Sequence, residues 1–354
     1  MASQKSRIFV GTAVTRPEAT GGLFRSTDGG DFELLSDGIL TDTGVQALTV
    51  HPDDPALIFA ATRNGVFRSS NHGDTWTKLP VPLDKRQAWS VTVHPTERKT
   101  IVVGTAPIGF LRSDDLGDTW RELGAPPRGE RFPSMKLLTC SRTMRISIDP
   151  VQPNLWYAAT EVNGVFVSKD GGETWVDAGD DLVRLAQDFD SLKNTELTDD
   201  DTEGMLDGHA VNVSAAHPGR VYYACRMGLF SSDNGGEQWR DLEITRFSPI
   251  RYSRDVRVSP SEPNVLYTCL SISSRSDKGT LFRSDDLGEN WRRMDPTLNI
   301  ASTMMSMGID NHDGGKVYAV TRAGDVLSTP DGGANWRQQK LPGNAGDAFC
   351  ITGS

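Results

Sequence analysis

The sequence predicts an all-β protein: a seven-bladed β-propeller of four-stranded antiparallel blades, the first blade closed by the C-terminal strand. Three observations carry this expectation. A twelve-residue turn motif recurs seven times, each copy follows two short alternating strands, and the two ends of the chain hold complementary pieces of one blade.

The motif reads Gly, apolar, Phe, Arg, Ser, x, Asp, x, Gly, x, Thr, Trp. It occurs as GVFRSSNHGDTW ending at Trp76, GFLRSDDLGDTW at Trp120, GVFVSKDGGETW at Trp175, GLFSSDNGGEQW at Trp239 and TLFRSDDLGENW at Trp291. A shorter copy, LSTPDGGANW, ends at Trp336, and a weaker one, GLFRSTDGGDFE, opens the series with Glu33 in place of the tryptophan. A tight turn between strands needs glycine where φ is positive, a short acidic or amide side chain bonding its own backbone, and a large aromatic to pin it. Six of the eight tryptophans and most Asp-Gly pairs serve this purpose, so packing explains them before catalysis does.

Upstream of each turn stands a small-residue strand ending mostly in Thr (IFVGT, IFAAT, IVVGT, WYAAT, VYAVT), with YYACR and LYTCL as variants. Before it runs an alternating strand that enters a turn, usually with proline, as in WSVTVHP and RISIDPVQP. Each unit is therefore four short strands at β-alternation. Residues 7–12 begin with the second strand of a blade, and DAFCITGS at the other end is a lone alternating strand. Pairing the two removes an exposed sheet edge. The expected organisation is one propeller domain over residues 1–354.

The repeated turn resembles the Asp-box, or BNR, repeat of sialidases, sortilin-type receptors and a photosystem assembly factor, and the resemblance covers nearly the whole chain. Asn71 and Asn234 replace the aspartate and Thr329 the last serine.

Bulk composition narrows the function. The net charge of −10 argues against nucleic acid and anionic membrane as partners, and no apolar run is long enough to span a bilayer. The start, MASQKSRIFVG, lacks the apolar stretch of a secretory leader, from which a cytoplasmic location is expected. Cys140, Cys225, Cys269 and Cys350 show no metal-binding spacing and read as reduced thiols. A monomer or weak homo-oligomer is expected. Residues 180–209 hold ten Asp or Glu against two Lys or Arg, so one insertion supplies most of the negative charge.

In a propeller the proline turns and Asp boxes share one face, the bottom. Loop length varies on the top: the large insertions are 121–142 and 176–209. Variable loops on a rigid scaffold are where function sits. Of the six histidines, His51, His94, His217 and His312 belong to the bottom turns and His72 to an Asp box, which leaves His209. Aligning the inner strands on their turns sets Gln87, Arg142, His209, Tyr252 and Thr303 level at the top mouth. Arg145 and Arg254 follow on the same strands, with Trp89 beside Gln87. Arg63, Arg226 and Arg322 stand on the short top loops, with Glu161 in a comparable place.

Arginines gathered on one face hold an anion through bidentate hydrogen bonds. Ligand-binding residues are therefore expected at Arg63, Arg142, Arg145, Arg226, Arg254, Arg322, Gln87 and Trp89. Catalytic residues are expected at His209, Tyr252 and Glu161. The alternative is that the arginines are solvated or pair with the acidic insertion. Within that insertion Leu182, Leu185, Phe189 and Leu192 recur at helical spacing behind Asp180 and Asp181 as caps, a helix that could close the mouth as a lid. Asp199, Asp200, Asp201 and Glu203 offer a Ca²⁺ set, but without the alternating spacing and glycine of an EF-hand loop; otherwise no metal or cofactor is expected.

The resemblance to sialidases implies an arginine cluster for a substrate carboxylate and a Tyr–Glu nucleophile, which Tyr252 and Glu161 could imitate. The family's Arg-Ile-Pro is replaced by Arg7-Ile8-Phe9, which argues against true sialidase activity. The function expected is a hydrolase or lyase acting on a small anionic ligand, carboxylate-bearing and with sugars among the candidates, in the top funnel. The competing expectation is a non-catalytic scaffold gripping an acidic peptide segment of a partner protein.

Overall fold

A computed structural model describes residues 5–126 and 140–354. Seven four-stranded antiparallel sheets follow one another around an axis. Their innermost strands are Asp347–Gly353 in the first blade, then Val45–His51, Gln87–Val93, Thr143–Ile148, Gly208–Val213, Tyr252–Val258 and Met304–Ile309. Each inner strand neighbours the next, and Asp347–Gly353 neighbours both Met304–Ile309 and Val45–His51, so the ring is closed. Closure is by the expected device: Asp347–Gly353 pairs antiparallel with Arg7–Ala13 and supplies the first blade's inner strand.

The turns hold as their chemistry demands. In six of them a hydroxyl oxygen, from Ser69, Ser113, Ser168, Ser232, Ser284 or Thr329, accepts the backbone N–H four residues on at 2.8–3.0 Å. The glycine receiving that bond has φ between 83° and 101°, for instance Gly73 and Gly117, a region closed to most side chains. Trp76, Trp120, Trp175 and Trp291 donate their indole N–H to a carbonyl of the same turn, whereas Trp239 and Trp336 reach back to Ala178 and Met294 at the preceding blade.

Between adjacent blades lie seven apolar clusters, one per gap. The largest fills the gap between the fourth and fifth blades and includes the acidic insertion. There α1 (Asp180–Asp188) buries Leu182, Leu185 and Ala186, and Leu192, Leu197, Met205 and Leu206 follow them inward. Glu203 opens a four-residue helix, α2 (Glu203–Leu206), and accepts the N–H groups of Leu197 (2.5 Å) and Thr198. The insertion is thus fastened between two blades. Its helical periodicity ends one residue early, leaving Phe189 exposed beyond α1. Gly179 occupies the cap position; Asp180 and Asp181 stand inside the first turn, and Asp181 accepts the Trp239 N–H at 2.6 Å. The 121–142 insertion falls largely outside the described residues.

One irregularity recurs in every blade. The register of each inner strand against its neighbour skips a single residue, which is Gln46, Trp89, Met144, His209, Arg254, Met305 or Phe349. Such a bulge leaves its residue outside the ladder and re-aims it. Seven bulges at one height set seven side chains outside the strand ladders around the axis, just below the top mouth.

Candidate functional site

The bulge ring corrects the alignment of the inner strands. Gln87, Arg142, Tyr252 and Thr303 each stand two residues before a bulge, but His209 is itself the bulge residue of its blade. The residue level with the other four is Asp207. The proline turn of the fifth blade caused the offset: Pro218 lies nine residues beyond the bulge, against six for Pro95, Pro150 and Pro260.

Asp207 and His209 are both buried and form the centre of a cluster. The His209 Nδ1 lies 2.6 Å from the Ser253 carbonyl, which fixes the proton there. Its Nε2 faces the Tyr252 hydroxyl and the Asp207 carboxylate, each at 3.4 Å. Burial, reinforced by the charge of Arg254, lowers the His209 pKa, and Asp207 opposes the fall. Burial alone would raise Asp207, but its ionic contacts with His209 and Arg226 outweigh that and hold the carboxyl well below the usual range. Arg226 donates to Asp207 from Nε (3.1 Å) and Nη2 (2.7 Å), and from Nη1 to Asn194, Glu196 and Glu203.

Glu161 stands on the neighbouring blade, its side chain 12% exposed and 2.9 Å from the Arg142 guanidinium. Burial pushes its carboxyl up to about 7; Arg142 opposes the rise and the negative charge of Asp207 adds to it. Arg142 lies over the Trp89 ring at 4.4 Å. Arg254 reaches the Tyr252 hydroxyl at 3.5 Å, while its buried Nε has no hydrogen-bond partner in the protein.

Glu161, Arg142, Trp89, His209, Tyr252, Arg254 and Arg226 are therefore brought together. Others go elsewhere. Arg145 points into the channel below and pairs with Asp255 at 3.3 Å. Arg322 is paired with Asp347 at 3.0 Å, Gln87 is half-buried, and Thr303 spends its hydroxyl on the Ser273–Ser276 loop. Arg63 is exposed. Four of the six arginines thus carry carboxylate partners, and Arg226 takes three of its own from the acidic insertion and its edge. In the Ca²⁺ set, Glu203 is committed to Arg226 and two backbone N–H groups and Asp200 to Thr202. Among the described residues no group of three or more His, Cys, Asp or Glu is placed to hold a metal ion.

Residues 64–203 match the family Sortilin-Vps10 (sortilin, neurotensin receptor 3). The chain also resembles solved structures. It superposes on the GH74 xyloglucanase from Xanthomonas campestris with a TM-score of 0.61 at 16% identity, covering 83% of this chain and 45% of that one. On YCF48 bound to D1 peptide the TM-score is 0.57 at 14% identity, covering 94% and 88%.

The chain is a seven-bladed propeller that is similar to the sortilin family over residues 64–203. Among curated proteins, the propeller is 22% identical over 316 residues to the oligoxyloglucan-reducing end-specific xyloglucanase of Emericella nidulans, covering 83% of this chain and 36% of that enzyme. The chain spans about a third of the length of the curated relatives it matches. Within this propeller, sequence reasoning missed Asp207, Asp255 and Asp347, and named Glu203 only as part of a Ca²⁺ set. Asp207 stands two residues before the singled-out His209, and a register count from the bulge would have found it.

Proposed function

We propose that this propeller is a glycoside-cleaving hydrolase whose reaction takes place at the top mouth, with Glu161 as the proton donor and Asp207 as the paired carboxylate. One observation carries the reading: two carboxyls of one cluster, Asp207 buried and Glu161 paired with Arg142 at its edge, whose surroundings drive their proton affinities in opposite directions. Glycosidic bond cleavage needs that division, one carboxyl protonated near neutral pH to protonate the leaving oxygen and one ionised to activate water or attack the sugar. Glu161 keeps its proton through burial, and Asp207 loses its proton to the field of Arg226 and His209. Arg226 orients Asp207, and the His209 Nε2, which faces both Asp207 and Tyr252, accepts or relays a proton. Trp89 provides an aromatic face for a sugar ring once Arg142 swings aside. The unpartnered Nε of Arg254 suits a sugar carboxylate, so a uronic-acid-bearing chain is the preferred substrate class. The matched relatives named xyloglucanases support the reaction class.

A second reading is favoured by the exposed Arg63 and by the near whole-length likeness to YCF48, a structure titled as bound to a peptide: the top face then grips an acidic peptide without catalysis. Incubating the propeller with xyloglucan and with polygalacturonate, and measuring released reducing ends, separates the two. Cleavage of either polymer supports the hydrolase. No release from either polymer, together with saturable binding of an acidic peptide, replaces it with the scaffold.

A further inference from the structure

Below the mouth, the inner strands enclose a polar cavity of about 230 Å³ along the axis. Its lining shares Val93, Ser147, Ile148 and Asn212 with a second hollow of about 420 Å³ between the bottom proline turns, so the channel opens downward. Two guanidiniums face this space, Arg145 from the fourth blade and Arg257 from the sixth. They share one carboxylate: Asp255, fully buried, takes Arg145 at 3.3 Å and Arg257 at 3.1 Å, and also accepts the Met307 N–H at 2.9 Å. Two positive charges against one negative leave the channel electropositive inside an acidic protein. Burial and the neighbouring Arg257 together push the Arg145 pKa down to about 10, the mark of a cation short of counter-charge.

The rest of the wall is polar as well: Thr49, Thr92, Ser147 and Asn212 line the cavity, so an anion beside the two guanidiniums enters a polar and roomy space rather than an apolar one.

We propose that the channel is a binding site for a small oxyanion, held between Arg145 and Arg257 and entering from the bottom face. One bound monoanion balances the excess charge through two guanidinium donors. The site is separate from the top mouth and does not depend on the hydrolase reading, because no residue of the carboxyl pair lines the cavity.

The test is crystallographic and calorimetric. Crystals of the full chain soaked in selenate are expected to show an anomalous peak within hydrogen-bond distance of both guanidiniums. Titration of the protein with inorganic phosphate in an oxyanion-free buffer is expected to show saturable binding, weakened at least tenfold in Arg257→Gln, which leaves Asp255 paired with Arg145. Lys169→Gln, an exposed change of equal charge, is expected to bind as the native protein does. Ordered water alone between Arg145 and Arg257 with no selenium peak overturns the proposal, as does phosphate binding that is equal in the two variants. Should Arg257→Gln fail to fold, the selenate map of the native chain decides the matter.

Discussion

Arg226 grips Asp207 through two guanidinium nitrogens, at 3.1 and 2.7 Å, and this pair links the acidic insertion to the mouth of the propeller. The same guanidinium extends its third nitrogen to Glu196 and Glu203, so the insertion and the carboxyl proposed as base share one cation. Whatever loosens one partner changes the charge felt by the other.

Replacing Asp207 by Asn tests the proposed role. The amide preserves the shape and one acceptor but cannot ionise, so kcat on the responsive polysaccharide is expected to fall by about a hundredfold or more. KM should change little, because Arg254 and Trp89 remain. Some destabilisation is also expected, up to roughly 3–5 kcal/mol, since Arg226 is left with less counter-charge. Steady-state kinetics alongside urea unfolding separates the two effects; an unchanged kcat in a folded variant removes Asp207 from the reaction.

Glu161 sets a pH dependence whose sign follows from its raised pKa. In the unfolded chain the carboxyl titrates near its ordinary value, while in the fold it retains its proton up to about 7. The folded state therefore holds more protons between those limits, and stability falls as pH rises through them, by on the order of 3 kcal/mol. The contribution is complete below about pH 4 and gone above pH 7. Glu161→Gln cannot titrate, so its melting temperature should decline less than that of the native protein across this interval. Parallel melting curves would show that Glu161 ionises normally.

The architecture was legible because seven copies of one turn share a physical demand: a hydroxyl, a carboxylate or amide, a positive-φ glycine and an indole at fixed offsets. The site was legible only in part. His209 could be singled out by subtracting histidines with structural duties, Tyr252 by aligning the inner strands, and Glu161 and Arg226 by their place on the short top loops. The bulge that sets their height could not, because Gln, Trp, Met, His, Arg, Met and Phe occupy it in turn and no residue type marks it. Ion pairing was equally hidden. Arg322 and Asp347 meet at 3.0 Å only because ring closure brings the last strand beside the seventh blade.

Ring closure itself can be probed at Gly11, in the strand paired with the C-terminal strand. A Cβ there would lie 2.5 Å from the Cys350 Sγ and 2.7 Å from the Val45 Cγ1, inside the packing that joins the first and second blades. Gly11→Ala is expected to cost about 1–3 kcal/mol through overpacking. Pairing it with Cys350→Ala opens the space and should recover part of the loss, a coupling that a double-mutant cycle in urea would measure. Strictly additive losses would place the strain elsewhere.

The last prediction concerns the fastening of the acidic insertion. Glu203 is 1% exposed, yet it satisfies the backbone N–H groups of Leu197 and Thr198 and one nitrogen of Arg226. Glu203→Ala strands those two donors and removes one of the carboxylates that Arg226 relies on, at a local cost of roughly 3–5 kcal/mol. The seven turns and six of the seven interblade clusters are untouched, so the loss should appear first as opening of residues 189–203 rather than as global unfolding. Limited proteolysis is expected to cleave that segment many times faster in the variant while the remaining propeller resists. Because Arg226 then shifts its hold toward Asp207, the acid limb of any pH–rate profile should move to lower pH in the same variant. Proteolysis rates equal to those of the native chain would mean that the buried apolar residues, Leu182, Leu185 and Leu192, hold the insertion without the ionic clasp.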